Sequence, residues 1–135
     1  MPLLVDTGVL YALADRRDAW HARVKRYLES TPGSMLAPVT ILPEVAYLLR
    51  HRIGSHAERL FVASLSKGEL AVEELTSRDW KRTEELMSRY DILGMVDASV
   101  VAVAERLKLS TLATTDRRDF GIVRPTHVDR LTLVP

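Results

Sequence analysis

The chain has 135 residues, 47% apolar and 27% charged, which suits one domain with a substantial core and argues against disorder. Its 19 basic and 18 acidic residues leave a net charge of +1, so charge alone carries no nucleic-acid signature. There is no cysteine, which excludes a disulfide scaffold, a cysteine-ligated zinc site and a cysteine nucleophile.

In chain order, Leu3–Val5 reads as a buried strand and Thr7 to about Asp15 as a helix. Asp18 can cap a second helix to about Ser30, with Trp20, Val24, Tyr27 and Leu28 on one face. Pro32 and Gly33 break it before the apolar run Met35–Ala37. Thr40 opens a strong helix through Ile41, Leu42, Val45 and Leu49, ended by Arg50, His51, Arg52 and Gly54. Ser55–Lys67 is a further helix and Leu70–Val72 a third strand. Thr76 and Asp79 form a capping box for a helix to about Tyr90. Met95–Leu107 is apolar on nearly all sides, as a buried helix must be. Thr111–Thr114 is a fourth strand and Leu131–Val134 a weaker fifth. Apolar strands separated by helices predict an α/β protein, a three-layer α/β/α sandwich around a mostly parallel sheet of four to five strands. With no linker or repeat, residues 1–135 form a single domain. No apolar run reaches the roughly 18 residues of a membrane span, and the amino terminus lacks a secretory signal, so a cytoplasmic protein is expected.

Ligands of open parallel sheets bind beyond the carboxyl ends of the strands. Asp6 closes the first strand and Asp116 follows the fourth, although either can simply cap the next helix. Asp97 is the only charge in Met95–Ala104, where it needs a partner, a metal or the helix dipole. Glu44 lies one residue too late for a capping box with Thr40, and its apolar flanks make an exposed bystander a poor fit; a salt bridge to arginine is the alternative. Four carboxylates at one site cannot all stay ionised without cations, and Mg²⁺, or Mn²⁺ as substitute, suits oxygen ligands and bridging phosphates. The four histidines have no zinc spacing, and His21 reads as surface or core filler. Only four basic residues are lysine, so arginine dominates. Arginine suits phosphate contacts, and codon bias produces the same excess.

Val5–Gly8, the helix carrying Glu44, Gly94–Ala98 and Thr114–Phe120 together resemble PIN domains, and more narrowly the short VapC-type toxin ribonucleases of toxin–antitoxin pairs. The resemblance runs through essentially the whole chain, in order. It implies a PIN-like fold and a metal site of Asp6, Glu44, Asp97 and Asp116, with Asp6 and Asp97 as foremost direct ligands. Thr114 matches the family's small hydroxyl residue. Asp119 stands either as a supporting acid behind the ligands or as a turn residue. Arg117 and Arg118 either hold RNA phosphates or form a solvated turn. Setting the four acids aside makes the rest of the chain four charges more positive than its +1, a mildly basic surround.

The implied activity is metal-dependent endoribonuclease cleavage by water, leaving 5′-phosphate and 3′-hydroxyl ends. The implied partners are RNA, a small antitoxin and a second copy of the chain, with no membrane. Tyr47, Leu48, Leu60, Phe61 and Leu65 on the third and fourth helices offer apolar surface for a partner helix, or pack within the monomer. A catalytically dead PIN-like RNA- or protein-binding module is the non-enzymatic alternative, although such modules usually lose acids. A haloacid-dehalogenase domain wants an Asp where Gly8 stands, and a receiver domain wants one where the third strand ends in Glu73 and Glu74. No GxGxxG or P-loop supports nucleotide binding.

Overall fold

A computed structural model describes residues 1–135. Five short strands, β1 (Leu3–Val5), β2 (Met35–Pro38), β3 (Ala71–Glu73), β4 (Thr111–Ala113) and β5 (Thr132–Val134), pair in the order β3-β2-β1-β4-β5. Every pairing is parallel, with Leu4 of β1 in register with both Leu36 of β2 and Leu112 of β4. The middle strands are the most apolar because both their faces are covered; Leu4, Val5, Leu112 and Ala113 are essentially inaccessible. Ala71 and Val72 on the β3 edge stay exposed.

Helices α1 (Thr7–Ala14) and α2 (His21–Ser30) connect β1 to β2, and α3 (Leu42–Arg52) and α4 (Ser55–Ser66) connect β2 to β3. Then α5 (Ser77–Arg89) and α6 (Met95–Leu107) carry the chain back across the sheet to β4, and α7 (Arg117–Ile122) leads to β5. Right-handed crossovers put α1–α4 on one face and α5–α7 on the other. The packing agrees: α1 meets α2 and α3, α3 meets α4, and α5 lies along α6. The expected three-layer parallel architecture is therefore present. No helix is long and apolar enough to cross a membrane.

Local signals explain most boundaries. The Thr76–Asp79 capping box has both its bonds, at 3.1 and 3.0 Å. Pro43 is tolerated in the first turn of α3, where its missing N–H would have had no partner, and a 3₁₀ turn at Val39–Ile41 precedes it. Gly54, at φ 147°, permits the sharp break before α4. Two expectations shift. Asp18 does not cap α2; its Oδ1 accepts from the Trp20 amide at 2.8 Å, closing a turn, and α2 starts at His21. Arg117, Arg118 and Asp119, for which a turn was one of two readings, instead open the helix α7, because Asp116 caps it through the Asp119 amide at 3.0 Å.

Arginines join α5 to α6. Arg82 forks onto both oxygens of Glu105, at 2.7 and 3.0 Å. Arg106 binds Asp79, which is only 3% exposed, and reaches Glu73 at the end of β3 at 2.8 Å. These pairs fix the carboxyl-terminal end of α6 against α5 and β3.

Candidate functional site

The chain leaves β1 toward one edge of the sheet and enters β4 on the opposite side, so the strand order reverses between these two neighbours. That reversal opens a crevice beyond their carboxyl ends. Asp6 stands one residue past β1 and Asp116 follows Thr114 and Thr115 past β4. Asp97 projects from the first turn of α6 and Glu44 from the first turn of α3. Thr40 and Ser99 share a 2.6 Å hydroxyl bond that ties the starts of these helices together.

The carboxylates of Asp97, Asp116 and Asp119 each offer an oxygen within 4.8 Å of the others. Asp119 thus belongs with the acids, a placement that its alternative reading as a turn residue did not require. Asp6 sits deeper, 6% exposed. The Thr114 hydroxyl donates to its Oδ2 at 2.5 Å and the Val9 amide to its Oδ1 at 3.3 Å. Asp6 is therefore a helix cap and a member of the acidic group at once. Glu44 is exposed, against the expectation from its apolar flanks: Ile41, Val45 and Leu49 form the buried side of α3, and Glu44 lies off it. It makes no salt bridge; Thr7 Oγ1 donates to its Oε1 at 2.7 Å.

Charge shows how tightly the group converges. Burial pushes the Asp6 carboxyl up to about 7, with the charges of Asp97 and Asp116 adding to the rise against the Thr114 and Val9 bonds. Burial, then Asp116, Glu44 and Asp119, push Asp97 up to about 6. Asp119 is also raised, by burial and then by Asp116, with Arg118 opposing. The five acids are thus linked by mutual repulsion, and none of them is in a salt bridge; Arg118 acts only on Asp119, from the rim. Three of the five, Asp97, Asp116 and Asp119, offer oxygens within 4.8 Å of one another, an all-oxygen donor set that suits a hard divalent cation, whose opposed ligands lie about 4 to 5 Å apart.

Three supporting residues have roles that the sequence did not assign, although Thr7 and Gly8 lie in the Val5–Gly8 motif. Thr7 orients Glu44, and Ser99 tethers α6. Gly8 leaves room for the side chain of Thr115, the residue before Asp116: a Cβ there would lie 2.1 Å from Thr115 Oγ1 and 3.4 Å from its Cβ, so that side chain would have to move. Thr114 is buried and gives the loop its shape, accepting from the Asp116 amide at 2.9 Å. Arg117 and Arg118 are exposed at the rim. His21 is no filler: its Nδ1 donates to the Ala12 carbonyl at 2.7 Å and ties α2 to α1.

Residues 3–124 match the model of the PIN domain. The chain is similar to Ribonuclease VapC26 of Mycobacterium tuberculosis, 27% identical over 135 residues, covering 98% of this chain and 100% of the relative. Among solved structures it resembles Mycobacterium tuberculosis VapC20, described as a sarcin–ricin-loop-cleaving toxin, with a TM-score of 0.82 and 27% identity over 94% of this chain and 98% of that one. A toxin–antitoxin complex from Klebsiella pneumoniae shares the fold, with a TM-score of 0.71 and 23% identity over 98% and 99% of the two chains.

Proposed function

The chain belongs to the PIN-domain family, and from that premise we propose that it is an endoribonuclease, the toxin of a toxin–antitoxin pair, whose activity depends on Mg²⁺ or Mn²⁺. The observation that carries this is the convergence of Asp97, Asp116 and Asp119 within 4.8 Å, backed by Asp6 and faced by Glu44, with no cation of the chain's own among them. Asp6, Glu44, Asp97 and Asp116 would hold the metal, and Asp119, whose carboxylate lies within 4.8 Å of those of Asp97 and Asp116, would join them. The bound ion supplies water activation and neutralises charge on the scissile phosphate.

The chain's own groups do the positioning. Thr114 fixes the Asp6 carboxylate, the Asp119 amide fixes Asp116, and Thr7 fixes Glu44. Each of these three acids is held by a neutral donor, which sets its orientation without cancelling its charge. The arrangement holds no Ser, His or Lys poised as a nucleophile, so water is the attacking group. Products then carry 5′-phosphate and 3′-hydroxyl ends, which end-labelling of the fragments reads directly. Fragments ending in 2′,3′-cyclic phosphate would instead mean attack by the RNA's own 2′-hydroxyl and would contradict the reading. A structured ribosomal RNA loop, the target named for the VapC20 relative, is the first substrate to assay.

The inhibitory partner is a small antitoxin, in keeping with a fold shared with a toxin–antitoxin complex. An apolar groove of about 330 Å³ between α1, α3 and α4 is lined by Leu10, Leu13, Leu49, Leu60, Phe61 and Leu70. Leu60 in its wall is 58% exposed, and Tyr47 on α3 is 60% exposed. The antitoxin lays a helix there, and the protein works as a homodimer in the cytoplasm.

A further inference from the structure

Trp20 lies at the start of α2, on the turn that Asp18 closes, and the His21 bond to Ala12 anchors that turn to α1. Two guanidinium groups stand over its ring. The Arg23 Cζ is 4.3 Å from the ring centroid and the Arg117 Cζ is 5.7 Å from it. Arg23 comes from the same helix, whereas Arg117 comes from α7 and directly follows Asp116 of the acidic group. The indole therefore bridges the α2 turn to the rim of the site.

Neither guanidinium has a carboxylate partner. The arginines that pin the fold, Arg82 and Arg106, and the surface Arg50 all pair with Glu or Asp. Arg23 and Arg117 make no ion pair and donate no hydrogen bond within the chain, and both are exposed. Two like charges gathered on one ring repel unless an anion comes between them. A guanidinium held over a ring without a carboxylate partner keeps N–H groups free, and these match the two oxygens of a phosphodiester. The ring also restricts the side chain beforehand, so less freedom is lost on binding.

We propose that Trp20, Arg23 and Arg117 form a phosphate-gripping subsite that holds the RNA backbone next to the scissile bond. The inference rests on the ribonuclease reading and adds the side from which the strand approaches: over α7 and the α2 turn. Contacts of this kind are sequence-independent, so the subsite sets affinity and register and not base choice.

The test is equilibrium binding of a labelled single-stranded oligoribonucleotide across a salt series. Wild type is compared with Arg23→Ala, Arg117→Ala and Trp20→Leu, with Arg59→Ala on α4 as a distant control. Each lost phosphate contact lowers the slope of log K against log salt by about 0.7 for a single strand. Arg23→Ala and Arg117→Ala should each show that loss and bind about 3- to 10-fold more weakly at low salt. Trp20→Leu should weaken binding although no charge is removed. Because Trp20 packs partly on the core, Trp20→Phe, which keeps an aromatic face, should bind between Trp20→Leu and wild type. The control should match wild type. Wild-type slope and affinity in both arginine variants, from a protein that cleaves RNA, would overturn the subsite and leave the nuclease standing. A wild-type protein that neither binds nor cleaves RNA would overturn both.

Discussion

Asp6 is a carboxylate whose ionisation opposes the fold. Its folded value of about 7 lies above the ordinary 3.8, so the stability tied to its protonation is fully present below about pH 4 and is lost as pH rises toward 7. Metal-free protein should therefore unfold at lower temperature at pH 7.5 than at pH 5. Asp6→Asn should flatten that dependence and stabilise the metal-free form at pH 7.5 by about 1–3 kcal/mol, while removing most activity. Calorimetry across pH checks it; an unchanged pH profile in Asp6→Asn would assign the effect to other groups. Gly8→Ala makes the opposite point, since its Cβ would press the side chain of Thr115, the residue before Asp116. Activity should fall at least tenfold with a stability loss of about 1–3 kcal/mol. At this scale the sequence displays the acids plainly, because a charge in an apolar frame, as at Asp97, stands out. It does not display the roles of Thr7, Ser99 or Gly8, which arise only when segments distant in the chain meet.

The strands and long helices were legible because their apolar periods and caps agree: Met95–Leu107 is α6 to the residue, and Thr76 caps α5 as its spacing requires. Short elements were not. Six residues at Arg117–Ile122 are too few to show a helical period, and Asp18 offers the same signal whether it caps a turn or a helix. The α5–α6 pairing was equally hidden, since it depends on contacts such as Arg106 with Asp79, 27 positions apart. Arg106→Leu should cost about 2–4 kcal/mol, because it strands the buried Asp79 charge. Arg50→Ala, in a pair 59% and 26% exposed, should change stability by less than about 0.5 kcal/mol. Denaturant unfolding of the two variants gives the contrast, and equal losses would contradict it. Lys108 ends α6 in the left-handed region, at φ 58°. Lys108→Gly should relieve that strain and stabilise by about 0.5–1 kcal/mol.

For the molecule as a whole, the parallel sheet has one strand-order reversal, and four of the loops and helix starts around it deliver acids to the same crevice. The family match over residues 3–124 and the fold shared with toxin–antitoxin complexes place that crevice in a PIN domain. On the proposed reading, an antitoxin docked in the α1–α3–α4 groove restrains the activity. Co-expression with the adjacent small gene, followed by sizing, should give a complex of two chain types. Leu60→Glu, which puts a charge in the groove wall, should weaken it tenfold or more with RNA cleavage retained. A strictly monomeric protein that binds no such product would contradict the toxin assignment.

The central claim is that clustered carboxylates cleave RNA through a divalent cation, and one titration tests it. Purified protein, stripped of metal, is assayed for RNA cleavage while Mg²⁺ or Mn²⁺ is added back, beside Asp97→Asn. The account predicts no cleavage without metal, full recovery on addition, reversal by excess chelator, and a near-silent Asp97→Asn at every metal concentration. Undiminished cleavage by protein shown to be metal-free, or near-normal cleavage by Asp97→Asn, would contradict it.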